Sequence, residues 1–432
     1  MSSHVSLPQE LVNQIIDNLS ENRDLKACSL VSTSWSFPAR NRLFHYVYVR
    51  PGEVEDWLSR PPESVQRMAP HIVKFGLSER WVQSQRTLPF YWDDSEGLLT
   101  RVISSIALSP VRWLRIESFG TGGFNKTTLE RCFEPVCHSI RSLELNNLAA
   151  CPDATIYLVS LFHDLDNLHI GDILPKSTQP APEWDGCGTK HSPKLSGTLR
   201  FYNAENTDDS KLFANIISLS PRFREISPGK LTGLDWNAVR RLLEVCAETL
   251  ESVLLVWWPY GGMDRDRVGG FFMSLTTSAI DRLPPNLFTS CQKLRKVGFG
   301  IWEEFRGTEV QKTLSSITSE HLSTVSFELA HPDWYMTCHT WEQFHEWWGG
   351  LESALCHLAD RLLADGGSPL VLEIIWWRPD GHEGVCGTVP HPDTIMPRFR
   401  EKGLIRFAES DLSDCDRCAE IFEEESRANG GV

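Results

Sequence analysis

The 432-residue sequence has no apolar run long enough to cross a membrane, so no membrane partner is expected. Its first residues lack the basic stretch followed by an apolar core that marks a secretory signal. The expected location is therefore cytosol or nucleus. Positive charge is in short supply, with 42 Lys and Arg against 57 Asp and Glu and a net charge of −15. Residues 1–50 are nearly balanced, with five basic and four acidic side chains, leaving 37 and 53 for the rest of the chain. An acidic body argues against nucleic acid, whose phosphates demand clustered Lys and Arg. It suits solubility or a basic partner surface. Also missing are G-x-x-x-x-G-K-[ST], G-x-G-x-x-G, H-E-x-x-H and G-x-S-x-G. No catalytic residue is singled out, no cofactor is expected, and the chain does not read as an enzyme.

Metal signatures are equally thin. The 12 cysteines sit in scattered apolar contexts, as in Glu244-Val245-Cys246-Ala247, and read as small core residues of a reducing compartment. Cys415 and Cys418 have the spacing of half a zinc site, without a second C-x-x-C or H-x-x-x-H nearby. The histidines look dispersed, and His345 and His357 lie twelve apart on one helix-like stretch. No metal ligand is assigned. The sequon Asn125-Lys126-Thr127 has no consequence without secretion.

The first fifty residues hold the most information. Ser6 followed by Gln9 has the form of a capping box, with Pro8 in the first turn, where its missing N–H is harmless. Leu11, Ile15 and Leu19 recur every fourth residue and Ile16 widens the stripe, which predicts a short amphipathic helix. A second apolar cluster follows at Leu25, Cys28, Leu30 and Val31. Ser32-Thr33-Ser34 offers caps for a third helix carrying Trp35, Phe37, Leu43 and Phe44. Three helices in some forty residues make little core of their own. Such a segment needs cover from the rest of the chain or from a partner.

The pattern Leu7-Pro8-x-Glu10-Leu11, Ile15-Ile16-x-x-Leu19, Asp24-Leu25-x-x-Cys28-x-x-Val31-Ser32-x-x-Trp35, then Leu43-Phe44, resembles an F-box over residues 5–49. One departure is Ile16, where many members carry an aromatic. The resemblance implies a three-helix motif that docks on the Skp-family adaptor of a cullin–RING ubiquitin ligase. On that reading Leu7, Pro8, Leu11, Ile15, Ile16, Leu19, Leu25, Val31 and Trp35 form the adaptor-binding set. The plainer alternative is a small helical cap on the following domain.

After a proline-rich junction at 51–70, a loose apolar–x–x–apolar–x–apolar pattern recurs. Its copies include Ile72/Phe75/Leu77, Val111/Leu114/Ile116, Ile140/Leu143/Leu145, Leu165/Leu168/Ile170, Phe223/Ile226, Leu250/Val253/Leu255, Leu294/Val297/Phe299, Leu322/Val325/Phe327 and Pro369/Leu372/Ile374. A weaker copy is Leu199/Phe201, starting at Ser196. Helix-like segments fall between the copies, at 98–107, 128–137, 155–162, 211–219, 236–246, 310–317 and 341–363. A short strand followed by an amphipathic helix is the unit of a solenoid, whose apolar face is buried only by stacking on neighbours. The expected architecture is α/β: an F-box at 1–50, a junction at 51–70, an irregular leucine-rich-repeat-like solenoid at 71–412 and an acidic, disordered tail at 413–432. The body resembles the degenerate repeat regions of fungal F-box proteins. The repeat asparagine is mostly missing, with Asn146 or Asn147 the near matches. An unrelated α/β domain with parallel strands is the alternative. Pro/Gly-rich stretches at 174–198 and 378–394, and the segment 259–286, read as insertions.

Sixteen tryptophans are the other unusual feature. Counting eight residues from the first position of three repeats lands on Trp258, Trp302 and Trp377. In extended strands this position is in phase with the outward-facing ones. The three rings would line one edge of the inner surface, with Glu328 and Glu373 adding negative charge. Packing of these rings into core or loops is the competing reading. The function expected is a non-catalytic substrate adaptor. Its F-box binds a Skp-family protein and through it a cullin, and its solenoid binds a protein substrate. A scaffold outside any ligase, and an enzyme of unrecognised type, are the alternatives.

Overall fold

The computed structural model describes residues 7–50, 53–77, 97–107, 109–117, 126–146, 152–171, 189–201, 209–228, 236–257, 286–301, 307–329, 341–377, 396–402 and 404–410. It is a mixed α/β structure whose twelve strands form a single sheet in chain order. The strands are β1 Tyr46–Val49, β2 Lys74–Leu77, β3 Trp113–Glu117, β4 Ser142–Asn146, β5 Asp164–Ile170, β6 Lys194–Phe201, β7 Arg222–Ser227, β8 Ser252–Trp257, β9 Lys296–Ile301, β10 Thr324–Leu329, β11 Val371–Trp377 and β12 Ile405–Ser410. Every strand pair whose register is described is parallel, and β1 and β12 are the edges. Strand–helix units in sequential order are consistent with a solenoid-like α/β fold. The chain divides into two compact units, Met1–Gly197 with Asn206–Ser220 and Thr198–Glu205 with Pro221–Val432.

In the first unit the apolar triplets become the buried rows. Phe75, Leu114, Leu143 and Leu168 share one rung across β2–β5, and Leu77, Ile116, Leu145 and Ile170 share the next. All eight are buried. The preceding positions Ile72, Val111, Ile140 and Leu165 are buried too. Helices follow strands as the amphipathic stretches predict: α6 (Leu98–Ser105), α7 (Lys126–Phe133), α8 (Pro152–Val159) and α9 (Asp209–Ser218). Two short helices, α4 (Val54–Ser59) and α5 (Pro62–Met68), follow β1, and α4 delivers Trp57 to the same core. Its ring lies 6.0 Å from that of Phe75, and its indole N–H donates to Ser105 Oγ at 2.8 Å. Each large apolar side chain taken from water contributes about 1.5–3 kcal/mol, so stability resides in these rows.

The second unit repeats the logic. Val253, Val297, Val325, Leu372 and Ile405 align across β8–β12, and Leu255, Phe299, Phe327 and Ile374 align one step on. The helix α10 (Trp236–Cys246) buries Val239, Leu242, Leu243 and Cys246. After α11 (Gly307–Ser315), the 24-residue helix Trp341–Ala364 places Trp348 edge-on to Phe327 at 5.6 Å, and Phe327 stacks on Phe299 at 5.5 Å.

Several expectations change. The sheet begins at Tyr46, not at the first triplet, because Tyr46-Val47-Tyr48-Val49 is a β-branched and aromatic run that pairs with Lys74–Leu77. Strand β6 begins at Lys194, inside the stretch expected to be a loop. Leu199 and Phe201 are buried as expected, but the buried residue before them is Leu195 and not Ser196, and Gly197 at φ 73° breaks the alternation. A Cβ at Gly197 would come 2.0 Å from the carbonyl oxygen of Asp166. In the last triplet Pro369 is exposed and Leu370 is buried in its place. Asn146 lies on the outward side of β4 and donates to Glu144 Oε1 at 2.7 Å, so it forms no asparagine ladder. The six cysteines among the described residues are free thiols, and all but Cys28 are buried. Burial pushes the Cys246 and Cys291 thiols up to about 11, as expected of inert core residues. Asn147, Cys415 and Cys418 lie outside the described residues.

Candidate functional site

The three N-terminal helices are α1 (Gln9–Asp17), α2 (Asn22–Cys28) and α3 (Thr33–Phe44). Their interior is small: Val12, Ile16, Leu25 and Ala39, with Leu19, Cys28, Trp35 and Leu43 partly buried around it. No side chain caps α1; Pro8 is its N-cap, and the Pro8 carbonyl accepts from the N–H groups of Leu11 and Val12. Ser6 lies outside the described residues. Gln9 makes a different bond from the one a capping box requires. Its amide donates to Asn13 Oδ1 and to the carbonyl of Ser34, both at 3.0 Å. That acceptor has a reason: Pro38, inside α3, has no N–H to offer the carbonyl four residues back. Gln9 supplies the missing donor and ties α1 to α3.

Building an interior from Val12 and Ile16 turns the other stripe of α1 outward. Leu11 and Ile15, one turn apart, are 45% and 40% exposed, and Leu7 is 48% exposed. Leu30 and Val31, in the α2–α3 turn, are 83% and 64% exposed, and Phe37 on α3 is 62% exposed. These are six of the eight large hydrophobic side chains exposed among the described residues. Of the expected adaptor-binding set, Leu7, Pro8, Leu11, Ile15 and Val31 are exposed. Ile16 and Leu25 form the interior, while Leu19 and Trp35 pack against it. Leu30 and Phe37 were legible as apolar residues but not as surface ones. A period-four reading cannot say which of two adjacent stripes faces inward until the third helix is placed.

Within the first unit, α3 ties the segment to the residues that follow. Asn41 Oδ1 makes a short hydrogen bond with His71 Nδ1, and the Phe37 ring meets that of His71 edge-on at 5.2 Å. Burial, with the Arg40 charge nearby, lowers the His71 pKa. The chain then enters β1, whose outward side chains carry a second cluster. The Tyr48 ring lies over Gly76, where a Cβ would come within 2.3 Å of it, and faces the Arg115 guanidinium at 5.8 Å. Arg115 is buried and ion-paired with Glu117 and Glu144, so its charge is matched locally.

The second unit was expected to carry the tryptophan edge. Strand β8 ends at Trp257 and β9 at Ile301, and Trp258 and Trp302 lie outside the described residues. Trp377 is the last residue of β11, in register with Ser410, and Glu328 pairs with Gly300 and Ile375. The side chains of Trp377 and Glu328 fall outside the description as well. Glu373 is described, and it is not an uncompensated charge: Lys296 Nζ meets Glu373 Oε2 at 2.7 Å. Trp57, Trp236 and Trp348 are core residues.

Sequence inspection also missed an association of histidines in the first unit. His138, His163 and His191 precede β4, β5 and β6 and stack in succession, with centroids 4.0 and 5.1 Å apart. Their separations of 25 and 28 residues match the repeat length, which is the signal that could have found them. No helix among the described residues is long and apolar enough to cross a membrane. Compared with known families and curated proteins, the chain matches no family model and no curated sequence.

Proposed function

We propose that the chain is an F-box substrate adaptor. Its three N-terminal helices dock on a Skp-family protein and through it on a cullin, and its solenoid-like body holds a protein substrate for ubiquitylation. The observation that carries this reading is the concentration of exposed apolar side chains in the three-helix segment: Leu7, Leu11, Ile15, Leu30, Val31 and Phe37. Exposed apolar clusters of this kind mark sites that another protein covers. A helical cap serving only its own domain would turn such residues inward. The docking set is accordingly the exposed residues, with Ile16 and Leu25 holding the helices together beneath them. Several buried anchors at roughly 1.5–3 kcal/mol each are enough for specific binding after the costs of association.

The acidic composition of the body supports a protein partner over a nucleic acid. The substrate edge at Trp258, Trp302 and Trp377 remains the proposed contact, with Glu328 beside it; Glu373 acts through its pair with Lys296. The proposed compartment is cytosol or nucleus. The test is a pull-down of a Skp-family adaptor and its cullin by the purified full chain and by Leu11→Asp/Ile15→Asp. The expected result is recovery of both by the wild type and of neither by a variant with an unchanged melting curve. Adaptor without cullin would shift the reading to a scaffold outside the ligase. Failure of a well-folded wild type to bind the adaptor would overturn it.

A further inference from the structure

The stacked histidines sit beside a thiol. Cys137 and His138 lie in the turn after α7, and His163 lies one repeat later, just before β5. One ligand atom from each of Cys137, His138 and His163 can be chosen so that all three fall within 4.8 Å of one another. The repeat architecture creates this closeness. The backbone N–H of His163 donates to the Cys137 carbonyl at 3.4 Å, and that of Lys194 donates to the His163 carbonyl at 2.8 Å. Successive strand entrances are thereby held side by side. Cys137 is buried, His163 half-buried and His138 exposed, so the group opens to solvent on one side.

We propose that Cys137, His138 and His163 form a binding site for a borderline-soft divalent cation, with Zn²⁺ the best match. The donor set of one thiol and two imidazoles selects against Ca²⁺ and Mg²⁺, which take oxygen. Zn–S and Zn–N bonds of about 2.3 and 2.0–2.1 Å put tetrahedral ligand atoms about 3.5 Å apart. The ligand atoms must therefore close in by about 1 Å from their present separations. The His138 and His163 rings now stack nearly parallel, 16° between planes, and must turn out of that stack to bring both lone pairs onto one cation. Cys137 now donates its S–H to the Glu134 carbonyl at 3.2 Å, so cation binding must release the thiol proton. His191, stacked on His163, braces that ring. Three protein ligands leave a fourth position for water or for a ligand from a partner.

Titration of the full chain with Co²⁺, read by thiolate-to-cobalt charge-transfer absorption, tests the site directly. The expected result is one equivalent bound with a thiolate band. Cys137→Ser should abolish the band, and His163→Gln should weaken binding at least about tenfold, since loss of a mere orienting partner already costs 10–100-fold. Cys415→Ser/Cys418→Ser should leave the band intact, which separates this site from the tail pair. His138→Gln, at an exposed position, provides the readout if Cys137→Ser fails to fold, and it too should weaken binding. Overturning results are the absence of a stoichiometric thiolate band in the wild type, or a band that survives in a folded Cys137→Ser or His138→Gln protein at undiminished affinity.

Discussion

The three-helix segment and the strand rows solve the burial problem in opposite ways. In the rows, each apolar side chain has a counterpart on the next strand: Phe299 lies between Leu255 and Phe327, and Leu143 between Leu114 and Leu168. On the inner strands these row residues are buried, and only Ile405 on the edge strand β12 is half-exposed. In the helices, four buried residues support six exposed hydrophobic ones. A stack of repeats closes its own core, because every neighbour repeats the same face. Three short helices cannot, because their surface is too large for their volume. What they leave uncovered is available for recognition.

Substitutions sharpen this contrast, and the rows should suffer most. Phe299→Ala removes a buried ring that stacks on Phe327, and should destabilise by about 3–5 kcal/mol in chemical denaturation. Ile16→Ala should cost about 2–5 kcal/mol, because its cluster has few other members. That loss should appear as selective hydrogen exchange in residues 9–44 while the strands stay protected. Uniform destabilisation of both regions would break the distinction.

Acid should act next. His71 and His163 are held below the usual 6.5 when folded, so the unfolded chain takes up their protons first. Stability is full above about pH 6.5 and is lost as pH falls through the folded pKa values. A melting temperature that declines on acidification through this window, with a shallower decline in His163→Gln, is the expected profile. Glu130, held low by hydrogen bonds from Lys190 and Tyr157, adds a second loss only below the ordinary carboxylate range. The smallest stability change should come from Leu30→Ser/Val31→Ser, within about 0.5 kcal/mol. Adaptor capture should nevertheless fall steeply. A large thermal loss there would show that these residues serve the interior instead.

Legibility divided along physical lines. The strand rows were readable because strand periodicity is two and the pattern recurs: Ile140, Leu143 and Leu145 declare a buried face by themselves. Exceptions arose where a backbone feature outranked the pattern. Gly197, at positive φ, reset β6 onto Leu195, and Leu370 displaced Pro369. In the helices, the sequence announced three elements and their apolar content but not the direction of each stripe. Leu11 and Ile15 look as core-like as Val12 and Ile16 on composition alone.

By itself, then, the amino-acid order determined the alternation of strand and helix, the identity of the buried rows and the presence of a separate helical segment, because all three follow from local periodicity. Only the tertiary structure decided that Gln9 answers the carbonyl orphaned by Pro38, that Leu30 and Phe37 stay at the surface, and that Cys137, His138 and His163 meet. Those outcomes depend on how elements 25 or more residues apart are set side by side, and no local pattern encodes that distance.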